Sequence, residues 1–201
     1  IMNKQAESQI ANPIYLSYKS LINWSSIKDV DEYCNQLEKK YGNQVQNFFN
    51  LSEEEDSFQQ QQRLYDYKNQ SLGFSLSISN LYIEPILSTI SLALESTQFN
   101  RVNHILDLGC ESGVTSCYYA KLFPEARITA IDINRNCIMQ ANNLKEKLGL
   151  NNIDFIQSDL FSFNAKEPNY DLIICHNFFI EATMMSIKNS KEYELAQSLN
   201  R

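Results

Sequence analysis

Histidine is scarce in this chain, with His104 and His176 the only two among 201 residues, which leaves little material for a histidine-based metal centre. Cysteine occurs five times but never as a Cys-x-x-Cys pair. The odd count, mostly within apolar or helical patterns, points to reduced thiols and a cytoplasmic setting, with no metal site expected. No apolar run approaches the roughly 20 residues that a bilayer-crossing helix needs, and no secretory leader precedes the first polar residues, so no membrane partner is expected. Basic residues are in deficit: the formal net charge is -7 and the pI about 4.9. That acidity repels phosphate backbones, so nucleic acid is an unexpected partner and a small molecule or a protein the expected one.

The composition that remains is ordinary for a globular chain, 43% hydrophobic and 20% charged, and long enough for one full core or a small core with a helical appendage. Two regions differ in character. Residues 1–100 show helical periodicity and little alternation, which predicts a helical cap or N-terminal extension. Ile10 to Trp24 reads as an arm or short helix around Pro13, and Asp29 to Tyr41 as a helix ending near Gly42. Ser52 with Glu55 reads as a capping box opening a helix to about Gln70. A further helix is expected over Tyr82 to Leu94, with Pro85 in its first turn.

From residue 102 onward the pattern alternates. Strands are expected at His104–Leu108, Arg127–Ile131, Ile153–Gln157 and Tyr170–Cys175. Helices are expected at Val114–Phe123, Arg135–Leu148 and Glu181–Leu199. Apolar strands alternating with helices of this length predict an α/β fold, a parallel sheet with helices on both faces. The apolar fourth strand suits a central position better than an edge, so residues 101–201 are expected to be an incomplete domain whose sheet continues beyond it, unless an N-terminal segment or a partner chain covers that edge.

The chemistry concentrates at strand ends. The first strand ends at Asp107-Leu108 and turns through Gly109, Cys110, Glu111, Ser112 and Gly113 into a helix. Glycines permit a tight turn and close ligand approach, and free N–H groups at a helix start favour an anionic group. The second strand ends at Ala130-Ile131-Asp132, where a carboxylate can accept hydrogen bonds from both hydroxyls of a ribose. The third ends at Ser158-Asp159-Leu160, beside a space an adenine could fill. Singly, each feature reads equally well as a turn glycine or helix cap; three in the right order are harder to dismiss.

Ile105-Leu106-Asp107-Leu108-Gly109-Cys110-Glu111-Ser112-Gly113 resembles the first motif of class I S-adenosylmethionine-dependent methyltransferases, and the likeness extends over residues 102–180. The resemblance implies a Rossmann-like domain whose cofactor is S-adenosylmethionine. It implies that the Asp107–Gly113 loop wraps the methionine part, that Asp132 (with Ile133) holds the ribose, and that Asp159 and Leu160 border the adenine. Asn177, past the fourth strand, would lie near the transferred methyl group. Glu111 stands where this family usually has glycine; its side chain either crowds the cofactor or offers a carboxylate to the methionine ammonium. A nicotinamide dehydrogenase fits less well, because its G-x-G-x-x-G would need glycine at Glu111 and Val114.

Methyl transfer from a sulfonium needs alignment and water exclusion more than covalent help, with a base where the acceptor must lose a proton. His176, at the carboxyl edge of the sheet, is the candidate base, and reads equally well as a packing residue. Asn177-Phe178-Phe179 is not the Asn-Pro-Pro-Tyr that resembles amino-group methyltransferases. The expected activity is methyl transfer to a small-molecule or protein acceptor by in-line displacement. The competing expectation is an inactive methyltransferase-like interaction module whose pocket Glu111 has spoiled. The N-terminal aromatics Tyr15, Tyr18, Trp24, Tyr65, Tyr67 and Phe74 are either helix packing or a lid.

Overall fold

The computed structural model describes residues 13–53, 57–96, 102–164 and 169–176. Five helices come first: α1 (Pro13–Leu21), α2 (Val30–Tyr41), α3 (Asn43–Ser52), α4 (Phe58–Lys68) and α5 (Leu72–Ser96). Then β1 (His104–Leu108), α6 (Val114–Leu122), β2 (Arg127–Asp132), α7 (Arg135–Leu148), β3 (Ile153–Gln157) and β4 (Leu172–Ile174) follow. The four strands are parallel in the order β3-β2-β1-β4. The chain moves outward from β1 to β3, then returns to the other side of β1. Right-handed crossovers therefore set α6 and α7 on one face, and the reversal between β1 and β4 opens a crevice at the carboxyl ends of the strands.

Local chemistry explains most boundaries. Asp29 caps α2 by accepting from the Glu32 N–H at 3.0 Å, and Asn134 caps α7 by accepting from the Cys137 N–H at 3.0 Å. Gly149, with φ +64°, ends α7 as a left-handed glycine cap. Three expectations fail. The capping box belongs to Ser57 and Gln60, which open α4, whereas the Ser52 hydroxyl donates back to the Phe49 carbonyl at 2.7 Å and closes α3. Helix α3 itself lies where no element was expected. The expected helix at Tyr82 is the second half of α5, which holds Pro85 inside it. Phe74, Ser75, Ile78, Ser79 and Asn80 are all buried, so α5 is covered on several sides and its composition blurs the helical period. The described part of β4 is shorter than Tyr170–Cys175, and Glu181–Leu199 lies outside the described residues.

The helical layer and the sheet share one apolar cluster. Tyr15, Tyr18, Trp24 and Leu87 pack with Val114, Tyr118 and Leu144. Tyr18 and Tyr118 are both fully buried with ring centroids 5.4 Å apart, and Tyr18 donates its hydroxyl to the Val114 carbonyl at the start of α6. A second cluster, with Ile105, Tyr119, Ile128, Ala130 and Ile153, packs around the sheet. A third, with Leu37, Val45, Phe48, Phe74 and Ile78, lies within the helical layer. Of the candidate lid aromatics, Tyr15, Tyr18, Trp24 and Phe74 are thus core. No described helix is long and apolar enough to cross a membrane.

Candidate active site

The glycine loop is pinned to the end of β2 by its backbone. The Gly109 and Cys110 N–H groups both donate to the Ile131 carbonyl, at 2.9 and 3.0 Å, and the Glu111 N–H donates to Asp132 Oδ2 at 2.9 Å. Three of five consecutive residues are left-handed: Gly109 at φ +74°, Glu111 at +48° and Gly113 at +75°. Gly113 has a packing reason as well, since a Cβ there would stand 2.7 Å from Phe155 Cζ and 2.9 Å from Ala141 Cβ. It lets α6 start close against α7 and β3.

Asp132 lies where β2 ends. Its Oδ2 accepts from Glu111 N–H and its Oδ1 from Asn134 N–H at 2.8 Å. Burial raises its carboxyl to about 6, opposed by those backbone donors. Asp107 is fully buried, accepts from the Ser116 hydroxyl at 2.6 Å, and is also raised to about 6 by burial.

These elements wall one cavity of about 750 Å³, a size usual for small-molecule sites. Gly109, Cys110, Glu111, Ser112, Asp132 and Ile133 line one side, with Asp159, Leu160, Phe161 and His176 further along. Asp107 and Gly113 are not on the wall; they stand behind the loop and shape it. Ser112 is 1% exposed, and its hydroxyl has no hydrogen-bond partner among the described residues. His176 stacks on Tyr119, with centroids 6.3 Å apart and planes 12° apart, and burial lowers its pKa. Asn177 lies outside the described residues.

One part of the roof was legible, since Tyr65 is among the candidate lid aromatics and lines the cavity. Gln61, Tyr65 and Lys68 of α4, with Tyr82 and Ile86 of α5, close the cavity from the helical layer. Lys68 is 2% exposed and pairs with Glu111 Oε1. It also reaches the Tyr82 hydroxyl, which donates to Glu111 Oε2 at 3.1 Å. The one available signal for Lys68 was Glu111 itself: a carboxylate in a buried loop needs a counter-charge. Beside it, the Asn134 amide donates to Asp66 Oδ1 at 2.9 Å and Gln62 Oε1 at 3.1 Å, fastening α4 to the turn after β2.

The family model of a methyltransferase domain matches residues 100–201, half of the chain and the whole glycine-loop sheet. The chain belongs to the class I S-adenosylmethionine-dependent methyltransferases. The ribosomal RNA small subunit methyltransferase C of Buchnera aphidicola is 38% identical over 100 residues, covering 44% of this chain and 29% of that protein. The release factor glutamine methyltransferase of Fusobacterium nucleatum is 35% identical over 91 residues, covering 43% and 26%. A methyltransferase structure from Thiobacillus denitrificans with S-adenosyl-L-homocysteine is 28% identical, with a TM-score of 0.40, covering 48% and 37%. The methyltransferase chain spans less than half the length of these curated relatives.

Proposed function

We propose that the cavity binds S-adenosylmethionine and that the chain forms the cofactor-binding part of an enzyme transferring its methyl group to an acceptor. The observation that carries this reading is Asp132. Two backbone N–H groups fix its carboxylate, it stands on the cavity wall beside the glycine loop, and its remaining acceptor capacity suits a pair of ribose hydroxyls. The unpartnered Ser112 hydroxyl on the same wall fits a polar ligand, since buried polar groups are ordinarily satisfied.

When bound, the cofactor supplies a methyl group activated by its sulfonium. Every other task falls to the chain. Gly109, Cys110, Glu111 and Ser112 border the methionine end, with Asp107 and Gly113 setting the loop behind them. Asp132 and Ile133 hold the ribose, and Asp159 and Leu160 flank the adenine. The helical roof excludes water, which favours alignment of the reacting atoms. His176, whose pKa burial lowers, is the group on the wall suited to accept a proton from an acceptor, and Asn177 follows it in the chain. We further propose that residues 1–100 and 101–201 divide the chain into a helical cap and a Rossmann-like domain.

The acceptor is proposed to be a small molecule or protein, with RNA now on the same footing. Relatives matched by this chain are named as methyltransferases of ribosomal RNA and transfer RNA, so the acidic net charge does not support setting nucleic acid aside.

Calorimetric titration of the chain with S-adenosylhomocysteine tests the reading. Asp132→Ala removes charge-assisted hydrogen bonds of about 1.5–3 kcal/mol, so affinity falls roughly 10- to 100-fold. Absence of binding by the unaltered chain, or an unchanged affinity in the variant, overturns it.

A further inference from the structure

We infer that Lys68 and Glu111 together form the receptor for the zwitterionic amino-acid end of the cofactor, Lys68 taking the α-carboxylate and Glu111 the α-ammonium; this rests on the reading of the cavity as an S-adenosylmethionine site. The charge arrangement leads there. Among the described residues that line the cavity, Glu111, Asp132 and Asp159 are acids, and Lys68 is the single lysine or arginine. An acidic cavity repels a carboxylate, so an amino-acid end entering it needs the one cation as its partner.

The geometry has room for that partner. A lysine ammonium carries three donors; two of the Lys68 donors meet Glu111 Oε1 and the Tyr82 hydroxyl. The third has no partner among the described residues, in a side chain that is 2% exposed. Each Glu111 oxygen takes one described bond, Oε1 from Lys68 and Oε2 from Tyr82, which leaves acceptor capacity on both. Ser112, next in the chain, adds its unpartnered buried hydroxyl on the same wall. A cation and an anion in contact, each with one side open, match a ligand whose ammonium and carboxylate sit on one carbon. Glu111 at φ +48° is thereby a residue with a task, and the cation it works with comes from α4, outside the glycine-loop sheet. The Lys68 and Glu111 side chains are specificity groups for the amino-acid end; the proposed ribose and adenine contacts do not use these side chains.

Calorimetric titration of the full chain with three ligands tests this: S-adenosylhomocysteine, its analogue lacking the α-carboxylate, and 5′-methylthioadenosine, which lacks the amino-acid end. The unaltered chain is expected to prefer S-adenosylhomocysteine over the decarboxylated analogue by about tenfold or more. Lys68→Met is expected to erase that preference while leaving 5′-methylthioadenosine binding unchanged. Because Lys68→Met strands a buried carboxylate, Lys68→Met with Glu111→Gln provides a neutral pair of similar volume. In it, S-adenosylhomocysteine and 5′-methylthioadenosine should bind alike. Equal affinity of the unaltered chain for the first two ligands, or a preference that survives in the double variant, overturns the inference while binding of 5′-methylthioadenosine upholds the cofactor site. Failure of all three ligands to bind the unaltered chain overturns both.

Discussion

Replacing Glu111 by glycine sets two effects of known sign against each other. Glycine would relax the left-handed backbone at φ +48°, a gain of about 1–2 kcal/mol by the sterics of an L-residue there. It would also leave Lys68, 2% exposed beneath the roof, without its carboxylate; removing one partner of a buried pair costs about 3–5 kcal/mol. The pair wins, for a net loss of about 1–4 kcal/mol. For a chain of this size that corresponds to ~2–16 °C in Tm. Urea unfolding followed by circular dichroism, with m checked for constancy, gives the difference directly. Glu111→Gly with Lys68→Met should recover much of the loss, since no buried charge is then stranded. A Glu111→Gly chain as stable as the original, or more so, would show that backbone strain dominates and that the ion pair is worth little.

Gly113→Ala places a Cβ within 2.9 Å of Ala141 and 2.7 Å of Phe155 at φ +75°, so about 2–5 kcal/mol of stability should be lost. Gly149→Ala, at φ +64° with nothing within 4 Å, should lose only about 1–2 kcal/mol, and equal losses in urea titration would refute the packing argument. The Asp107 carboxyl is raised from 3.8 to about 6 by burial, so the folded chain holds its proton where the unfolded chain has released it. Its contribution to stability is full below the lower value and is lost as pH rises through the upper one. Denaturation midpoints from pH 4 to 7 should therefore fall less steeply in Asp107→Asn than in the unaltered chain, and parallel curves would refute the shift.

The sheet was legible because its information is local and redundant. Each of β1, β2 and β3 is a short run holding two or three of Ile, Leu and Phe, and α6 and α7 lie between a glycine or asparagine start and a proline or glycine stop. That Gly109, Asp132 and Asp159 line one cavity followed from topology, since carboxyl ends share one edge in any parallel sheet. The helical layer was harder. Ser52-x-x-Glu55 and Ser57-x-x-Gln60 satisfy the same capping pattern, and only the tertiary path decides that the first closes a helix and the second opens one. Lys68 sits among polar residues of α4 and reads as solvent-facing; its burial depends on Glu111, 43 residues away in sequence. Asp107 and Gly113 show the converse. Motif membership put them with the ligand contacts, while the fold buries the Asp107 carboxylate against the Ser116 hydroxyl and packs Gly113 against Phe155 and Ala141.

Separating the two halves would test whether the helical layer is an accessory or part of the core. A chain of residues 101–201 alone keeps the glycine loop, Asp132 and Asp159, yet uncovers Val114, Tyr118 and Leu144, which are 1%, 0% and 0% exposed against the helices. Burying three such side chains is worth about 5–9 kcal/mol in total, comparable with the whole stability of an ordinary domain, about 5–15 kcal/mol. It also removes Lys68 from Glu111 and Asp66 from Asn134, whose backbone N–H helps to fix Asp132. The shortened chain should therefore lack cooperative unfolding and show no calorimetric response to S-adenosylhomocysteine. A sharp unfolding transition with unchanged affinity would show the opposite: that the sheet organises its own cofactor site and the helices merely rest on it. The expected result makes the cap a structural condition of the glycine loop, because the same contacts that bury the apolar face of α6 and α7 also supply the cation and amide partners at the loop's edge.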